Sequence, residues 1–331
     1  MSERYVLLIK QVPHEDFSSL EPEFKIICWE NLSDEQKNSL YSDILPNTEA
    51  IIATAGVSSE LIAKTLKLKV IVVNGAGYDD IDIAAASALH IPVYNIPDIT
   101  ASATAELALA LMLDVSRRVS ELNNRLRSDP SGAGSMFRIG QNPGHTLSGK
   151  TLGIIGMGNI GSKLARMALG LNMKILYTQR HQLPIGLERS MRFQYFNDLL
   201  AASDVVSINC PLTDETRGMF NEKAFMRMKT GSILINTARG EIVDQKQMIR
   251  FLKSGKLLGA GLDVFPNNSE VDPELLTLPN VVATPHIGVN VIETRREMAE
   301  RIVSIVKAAC NDGPVLKGNL LNGESLRSRS S

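Results

Sequence analysis

The stretch "TLGIIGMGNIG", residues 151–161, constrains the fold more than any other part of the chain. An apolar run predicted to form a strand enters a glycine-rich turn, and a helical stretch follows at once. Gly156 permits the tight turn, Gly158 lets the backbone approach a pyrophosphate, and Gly161 lets the helix pack against the strand. The helix N-terminus also favours an anion. The pattern therefore predicts a dinucleotide site, and the alternative is a glycine-rich packing turn.

This turn lies within a long alternation of apolar runs and helical stretches. Residues 1–98 contain five runs predicted to be strands, with helices between them, and a second series runs from Gly149 to about residue 287. Near-continuous apolar strands that alternate with helices indicate parallel sheets covered on both faces. The sequence therefore predicts an α/β protein with two doubly wound, Rossmann-like parallel-sheet domains and an interdomain cleft.

The order of these segments also predicts where each domain begins and ends. Residues 101–128 are expected to form one long helix whose apolar first half is buried between the domains. The last helix, 291–310, is expected to return to the first domain. We therefore predict a substrate-binding (catalytic) domain of residues 1–98 plus 288–331 and a dinucleotide-binding domain of residues 99–287.

Composition excludes several classes of function. The 331 residues suffice for two domains with separate cores, and a formal net charge of −1 offers no broad basic field to nucleic acid or a membrane. Three scattered cysteines predict reduced thiols in a cytoplasmic setting, with no disulfide frame and no metal site. We recognise no leader segment, which agrees with a cytoplasmic location. The tail "SLRSRSS" is expected to be disordered.

The end of the next strand, "MKILYTQRH", predicts which dinucleotide is bound. NAD-selective sites place an Asp or Glu there to accept a hydrogen bond from the ribose 2′-hydroxyl. This chain has Thr178, Gln179 and Arg180 instead, and Arg180 can form a charge-assisted fork with a 2′-phosphate. We expect NADP(H) to be preferred and NAD(H) to be a possible substitute. The alternative is that Arg180 stacks on adenine or points into solvent.

Five further motifs share their order with a known family. They are "NGAGYDDID", "SATAELALALML", "INTARGEIVD", "GLDVF" and "TPHIG". Together with the glycine turn they cover nearly the whole chain, which resembles the D-isomer-specific 2-hydroxyacid dehydrogenases. The Thr-Gln-Arg strand end is similar to the NADPH-using glyoxylate and hydroxypyruvate reductases of this family. The stretch "HIGVNVIETRREM" is similar to fungal members.

The resemblance implies hydride transfer from the nicotinamide to a 2-keto acid, which yields the D-2-hydroxy acid. It makes Arg239 the anchor for the substrate carboxylate and keto oxygen, and His286 the general acid. The backbone N–H groups of Ala76 and Gly77 are expected to bind the carboxylate as well, and Asp263 to orient the nicotinamide carboxamide. The remaining expected cofactor contacts are Thr104, Asn159, Ile160, Cys210, Pro211, Thr216, Thr237, Ala238, His286 and Gly288.

One expected side chain is absent. In the family, a glutamate five residues after the aspartate of the "LDV" motif pairs with the histidine, and here that position is Asn268. An amide can orient an imidazole but supplies no charge, and losing a carboxylate lowers the histidine pKa by roughly one unit, about 1.4 kcal/mol. Three alternatives stay open. Asn268 orients a still active His286, Glu270 substitutes for the glutamate, or catalysis is impaired.

The sequence therefore favours an NADPH-dependent reductase of a small 2-keto acid, with glyoxylate and hydroxypyruvate as leading substrates. A second hypothesis is a cofactor-sensing binding protein, like the transcriptional corepressors built on this fold. A third is phosphoglycerate dehydrogenase, whose regulatory extensions are not seen here. Members of the family are usually homodimers formed through the dinucleotide domain, so the resemblance also implies a homodimer.

Overall fold

The computed structural model describes residues 3–33, 35–37, 43–129, 136–184, 186, 190–268, 270–315 and 318–327, with only the backbone of residues 268 and 327. The strands of this part are β1 (Tyr5–Leu8), β2 (Lys25–Cys28), β3 (Thr48–Ala53), β4 (Val70–Val73), β5 (Val93–Asn95), β6 (Thr151–Ile155), β7 (Lys174–Thr178), β8 (Met191–Phe193), β9 (Val205–Ile208), β10 (Ser232–Asn236), β11 (Leu257–Leu262), β12 (Val281–Ala283) and β13 (Asn319–Leu320). The helices are α1 (Ser59–Lys64), α2 (Ile83–Ala88), α3 (Pro97–Arg117), α4 (Val119–Ser128), α5 (Asn159–Gly170), α6 (Phe196–Ala202), α7 (Glu222–Arg227), α8 (Gln245–Lys253), α9 (Pro273–Thr277), α10 (Ile292–Cys310) and α11 (Gly323–Arg327). Short 3-10 turns are Ser18–Leu20, Trp29–Asn31, Leu45–Asn47, Gly240–Ile242 and Pro266–Asn268.

The chain divides into two compact units. The first unit contains residues 1–100 and 289–331, and the second contains residues 101–288. Each unit has its own sheet and its own buried apolar clusters. The predicted fold class of two parallel-sheet α/β domains is confirmed, while the interdomain cleft stays a prediction.

The first unit is built on a six-stranded sheet in the order β13-β5-β4-β3-β1-β2. All neighbouring strands are parallel except β13, which runs antiparallel to β5 at the edge. Helix α10 covers one face, where Met298, Ile302 and Val306 pack among the apolar side chains of β1, β3 and β4. The five parallel strands have the order 2-1-3-4-5, a doubly wound arrangement that binds ligands at the carboxyl ends of its strands.

The second unit has a seven-stranded sheet in the order β12-β11-β10-β9-β6-β7-β8, with every neighbouring pair parallel. The chain builds outward from β6 in one direction through β7 and β8, and in the other through β9 to β12. Ligands of such sheets bind where the strand order reverses, outside the carboxyl ends of the strands. The glycine turn follows β6 directly, so it lies at this switch point.

The helix predicted over residues 101–128 is two helices, α3 and α4, and this prediction was wrong. The chain breaks at Arg118, whose φ of 59° is left-handed. The carboxylate of Asp114 accepts hydrogen bonds from the hydroxyl of Ser120 and, at 2.7 Å, from its N–H, which holds the new turn in place. Helix α3 has the length and hydropathy of a membrane span, but 61% of its apolar window is buried inside the protein, so we assign it as a core helix.

The C-terminal segment is more ordered than the sequence predicts. Residues 325–327 of the "SLRSRSS" tail belong to α11, while residues 328–331 lie outside the described residues. The buried side chain of Asn322 attaches this segment to the first unit. Its Oδ1 accepts from the N–H of Val93 at 3.0 Å, and its Nδ2 donates to the carbonyl of Ile91 at 2.9 Å. These tertiary bonds fix Asn322, the residue directly before α11, to the first unit.

Candidate functional site

The three glycines of the turn have different roles in the structure. Gly156 has a φ of 95°, and a Cβ there would lie 2.8 Å from the N atom of Cys210. A Cβ on Gly161 would lie 2.2 Å from the carbonyl oxygen of Gly156. A Cβ on Gly158 would meet nothing within 4 Å, and this residue caps α5 without a side-chain hydrogen bond. Gly156 and Gly161 therefore permit close packing, and Gly158 leaves the start of α5, at Asn159 and Ile160, open to an anion.

A cavity of about 480 Å³ lies beside this turn in the second unit. The predicted cofactor residues that line it are Gly156, Gly158, Thr178, Gln179, Arg180, Cys210, Pro211 and Thr216. The sequence reasoning missed Ile155, His181, Phe196, Asn209, Thr213, Glu215 and Met219. The Oδ1 atom of Asn209 is buried and accepts no hydrogen bond in the described structure. A polar ligand at the glycine turn would satisfy that acceptor, so the residues present fit a dinucleotide.

The end of β7 carries no carboxylate into this cavity. The carbonyl of Thr178 accepts from the N–H of Gly156 at 2.9 Å, which ties the strand end to the glycine turn. The side-chain amide of Gln179 donates to the carbonyl of His181 at 2.7 Å and folds the chain back. Arg180 and His181 are both exposed at the cavity wall. His181 directly follows the predicted Arg180, and this adjacency is the sequence signal that could have identified it.

Arg239 follows β10 in a loop that a buried amide holds. Asn236, 1% exposed, donates from Nδ2 to the carbonyl of Arg239 at 2.9 Å and accepts at Oδ1 from the N–H of Ala238 at 3.0 Å. The guanidinium of Arg239 is half-buried and donates to the carbonyl of Ala238 at 2.8 Å. Thr237 is buried, and its Oγ1 has no hydrogen-bond partner in the part of the chain that the structure describes. The sequence reasoning missed Asn236, whose side chain spans the loop and holds the backbone of Arg239 in position.

Asp263 follows β11 and holds the turn that carries the predicted acid. Its carboxylate is 1% exposed, and Oδ1 accepts from the hydroxyl of Thr284 at 2.6 Å and from the N–H of Ile287 at 2.8 Å. Oδ2 accepts from the N–H of Gly288 at 2.9 Å. His286 lies inside this turn with a left-handed φ of 56° and an exposed side chain. Asp263 thus supports a strained backbone at His286, and its predicted contact with the nicotinamide carboxamide stays a prediction.

Backbone bonds join these loops across three neighbouring strands. The N–H of Asp263 donates to the carbonyl of Asn236 at 2.9 Å, and the N–H of His286 donates to the carbonyl of Asp263 at 3.0 Å. The hydroxyl of Thr104 in α3 donates to the carbonyl of Gly288 at 3.4 Å. Because β10, β11 and β12 are adjacent and parallel, the residues that follow them emerge at one edge of the sheet.

The loop after Phe265 contains the position of the missing glutamate. A Cβ on Gly240 would lie 2.0 Å from the carbonyl carbon of Phe265, so this loop packs against a position that requires glycine. Asn267 has a left-handed φ of 51°, and its side-chain amide donates to the carboxylate of Glu270 at 2.8 Å. Glu270 is exposed. The side chain of Asn268 lies outside the described structure, so the roles predicted for Asn268 and Glu270 stay predictions.

Ala76 and Gly77, the predicted substrate contacts, follow β4 in the first unit. Both are half-buried. Asn74, two residues before Ala76, donates from Nδ2 to the carboxylate of Glu15 at 2.6 Å, and Arg295 donates to the same carboxylate at 2.9 Å. The side chain of Glu15 is fully buried, and this burial raises its pKa against the opposing effect of the two donors. The start of the loop is therefore attached to a buried ion pair that sequence reasoning missed.

The cysteines show no feature of a reactive centre. Cys28, Cys210 and Cys310 are free thiols. Burial raises the pKa of Cys210 to about 11, so the thiol beside the glycine turn is protonated and packs as a small apolar group. No cluster of three or more His, Cys, Asp or Glu side chains that could hold a metal ion occurs within the described residues.

Comparisons with known proteins agree with this geometry. Residues 109–288 match the family model "D-isomer specific 2-hydroxyacid dehydrogenase, NAD binding domain". The chain is 38% identical to a glyoxylate reductase of Thermococcus litoralis over 98% of both chains. It is 35% identical to 4-methyl-2-oxopentanoate reductase A of Aspergillus oryzae, over 94% of this chain and 96% of the relative.

A solved structure resembles the chain over nearly its full length. A glyoxylate reductase from Paecilomyes thermophila superposes with a TM-score of 0.86 and 33% identity, covering 96% of this chain and 98% of that one. The family resemblance predicted from the motifs is confirmed. The chain is a member of the D-isomer specific 2-hydroxyacid dehydrogenases, oxidoreductases that use a nicotinamide cofactor.

Proposed function

We propose that the protein reduces a small 2-keto acid to the D-2-hydroxy acid with NADPH. The proposal rests on the loops after β10, β11 and β12, which are joined to one another by backbone hydrogen bonds. These loops bear Arg239, Asp263 and His286 at one edge of the sheet. Arg239 anchors the substrate carboxylate and keto oxygen through its planar fork. The N–H groups of Ala76 and Gly77 also bind the carboxylate.

In this proposal His286 donates the proton that the keto oxygen needs. The nicotinamide, when bound, supplies the hydride. His286 is exposed, on a backbone that Asp263 holds in place, so its imidazole can exchange protons with solvent between turnovers. The proposal assigns Arg239 to binding and His286 to proton transfer, and it assigns Asp263 to the geometry of the His286 turn.

The choice of NADP(H) over NAD(H) rests on the end of β7. Thr178, Gln179, Arg180 and His181 line the cavity there without a carboxylate that would repel a 2′-phosphate. Arg180 supplies a guanidinium for that phosphate. Glu215 also lines the cavity, and its negative charge lowers the affinity for NADP(H) if it faces the phosphate. NAD(H) is therefore retained as the second cofactor to test.

Glyoxylate and hydroxypyruvate are the leading substrates. The relative from Thermococcus litoralis is named for glyoxylate, whereas the relative from Aspergillus oryzae is named for a longer, branched keto acid. A panel should therefore run from glyoxylate through hydroxypyruvate and pyruvate to 4-methyl-2-oxopentanoate. The test follows the loss of reduced-nicotinamide absorbance with purified protein and each substrate, with NADPH and with NADH.

The same panel, extended with 3-phosphohydroxypyruvate, separates the alternatives. A cofactor-sensing binding protein would bind NADPH and show no turnover with any keto acid. A phosphoglycerate dehydrogenase would prefer 3-phosphohydroxypyruvate over every unphosphorylated substrate. The proposal requires turnover with an unphosphorylated 2-keto acid and loss of that turnover in His286→Ala. Full activity in His286→Ala would reject the assigned proton donor.

We further propose a homodimer in the cytoplasm. Apolar side chains of the second unit support self-association, because Val119, Phe137 and Ile139 are 57%, 76% and 104% exposed. Light scattering of the purified chain tests the dimer, and a monomer at micromolar concentration would reject it. Cell fractionation tests the compartment.

A further inference from the structure

Two side-chain amides connect the C-terminal strand to the loop that holds Ala76 and Gly77. The Nδ2 of Asn95, which is 3% exposed at the end of β5, donates to the carbonyl oxygen of Ala76 at 2.7 Å. The Nδ2 of Asn319, which pairs with Asn95 across the β5–β13 edge, donates to the Oδ1 of Asn95 at 2.7 Å. The three groups form one hydrogen-bonded chain within the first unit.

This chain sets the orientation of one peptide group. A trans peptide directs its C=O and the following N–H to opposite sides. Because the carbonyl of Ala76 points to Asn95, the N–H of Gly77 points away from the β5–β13 edge. In the part of the chain that the structure describes, the N–H groups of Ala76 and Gly77 donate to no protein acceptor. The loop therefore has its carbonyl satisfied and two donors available.

Asn319 determines which atom of Asn95 faces the loop. A side-chain amide presents an oxygen or an NH₂ group depending on its neighbours. Since Asn319 donates to Oδ1, the NH₂ group of Asn95 is left for Ala76. An acceptor at position 319 would favour the flipped amide, which presents an oxygen to the carbonyl of Ala76 and repels it.

Backbone bonds to the strands on both sides of β4 hold the start of the loop. The N–H of Ile96 donates to the carbonyl of Gly75 at 3.0 Å, and the N–H of Asn74 donates to the carbonyl of Ala53 at 2.9 Å. With the start of the loop held, the Ala76–Gly77 peptide is the next peptide group that could rotate. The Asn95 amide is the group that opposes this rotation.

We propose that Asn95 and Asn319 are positioning residues that aim the N–H of Gly77 at the carboxylate of the 2-keto acid. This inference rests on the proposed function, because it assumes that the carboxylate binds at Gly77. Asn95 acts through the Ala76–Gly77 peptide, and Asn319 acts through Asn95. Two amides from distant parts of the sequence thereby contribute to substrate affinity without touching the substrate.

The test compares Asn95→Asp with Asn319→Ala. Asn95→Asp replaces the donor with a carboxylate that repels the carbonyl of Ala76. We expect its KM for glyoxylate to rise about tenfold with kcat little changed, since a carboxylate anchor acts equally on ground and transition states. Asn319 is exposed, so Asn319→Ala should fold normally and raise KM by a smaller factor. The affinity for NADPH should stay unchanged in both variants.

A double variant and a matched control separate positioning from general destabilisation. Once Asn95 is Asp, changing Asn319 to Ala should raise KM no further, because Asn319 acts only through Asn95.

Asn322→Ser removes another buried amide of the same segment, one that bonds to Val93 and Ile91 instead of the loop. It should lower the Tm without changing KM. An equal rise of KM in Asn322→Ser, or an unchanged KM in both Asn95→Asp and Asn319→Ala, would overturn the inference.

Calorimetry measures the binding of oxamate to the NADPH-loaded protein and so tests the inference without relying on turnover. We expect the Kd for oxamate to rise by the same factors as KM. If the wild type binds oxamate but reduces no keto acid, the proposed function fails and the oxamate affinities of the variants still decide the inference. If the wild type binds no oxamate, the inference is wrong.

Discussion

The carboxylate of Asp263, which follows β11, accepts a hydrogen bond of 2.6 Å from the hydroxyl of Thr284, which begins the turn that presents His286. Asp263 also accepts from the N–H groups of Ile287 and Gly288 at 2.8 and 2.9 Å. A carboxylate has enough lone pairs for three donors, which a neutral amide in the same place has not. The left-handed backbone of His286 therefore depends on a charged acceptor at position 263.

Replacing Asp263 with Asn should lower both stability and turnover. The amide would place an NH₂ group against an N–H donor of the turn, which costs about 1–3 kcal/mol of unfolding free energy. Displacement of His286 should reduce kcat about tenfold to a hundredfold. Denaturant unfolding and steady-state kinetics measure the two effects. Thr284→Val, which removes one donor, is the matched control with an expected loss of about 1 kcal/mol. A kcat unchanged in Asp263→Asn would contradict this role.

The dependence on Asp263 shows which parts of the site the sequence can predict. The glycine turn, the strands of the two sheets and the strand end predicted to bind the cofactor each consist of contiguous residues, so local pattern reasoning predicts them. The bonds from the His286 turn to Asp263, and the backbone bond from Asp263 to Asn236, depend on which strands are neighbours. Their roles as supports become visible only once β10, β11 and β12 are placed side by side.

One wrong prediction and one open assignment both depend on local backbone geometry. The 101–128 helix was expected to be continuous because every residue near Arg118 tolerates a helix. The break depends on the bonds that Asp114 makes to Ser120. The role of Glu270 was left open because loop geometry decides it, and the left-handed Asn267 that binds the Glu270 carboxylate carries no strong sequence signal.

Arg180→Ala should weaken NADPH binding and leave NADH binding unchanged. Loss of one charge-assisted hydrogen bond to the 2′-phosphate predicts a KM for NADPH that rises about tenfold to a hundredfold. The measurement is the ratio of kcat/KM values with NADPH and NADH. Arg192→Ala is the matched control, because Arg192 is an exposed arginine of β8 that does not line the cavity. Equal losses with both cofactors would show that Arg180 does not bind the phosphate.

Asn268→Glu introduces the carboxylate that the family resemblance predicts at this position. A negative charge near the imidazole favours its protonated form, so the alkaline limb of the kcat/KM profile should move up by about one pH unit. The measurement is the rate of keto acid reduction across the pH range in wild type and variant. A superimposable pair of profiles would mean that position 268 does not act on His286.

Glu270→Gln should leave that profile unchanged. The carboxylate of Glu270 is exposed and accepts a hydrogen bond from the side chain of Asn267. An amide at position 270 can replace this carboxylate at small cost. Kinetics over the same pH range as for Asn268→Glu measure the effect. A downward shift of the alkaline limb in Glu270→Gln would instead identify Glu270 as the partner of His286.

The buried Glu15 should make the first unit less stable as pH rises through the weakly acidic range. Burial raises the pKa of Glu15 above its unfolded value, although hydrogen bonds from Asn74 and Arg295 oppose the shift. Between the unfolded and folded pKa values, the folded state keeps a proton that the unfolded state has lost. The free energy of unfolding therefore falls with rising pH in that window, and the fall is complete above the folded pKa.

Glu15→Gln cannot titrate, so subtracting its unfolding profile from that of the wild type isolates this effect. We expect the difference in Tm, wild type minus variant, to decrease from low pH through the range above 4.5, the ordinary glutamate pKa. Glu49→Gln is a matched control of opposite sign. The hydrogen bond from Arg4 lowers the pKa of Glu49, so its stabilising effect is present above the unfolded pKa and is lost as pH falls. Parallel slopes in the two variants would show that burial does not dominate at Glu15.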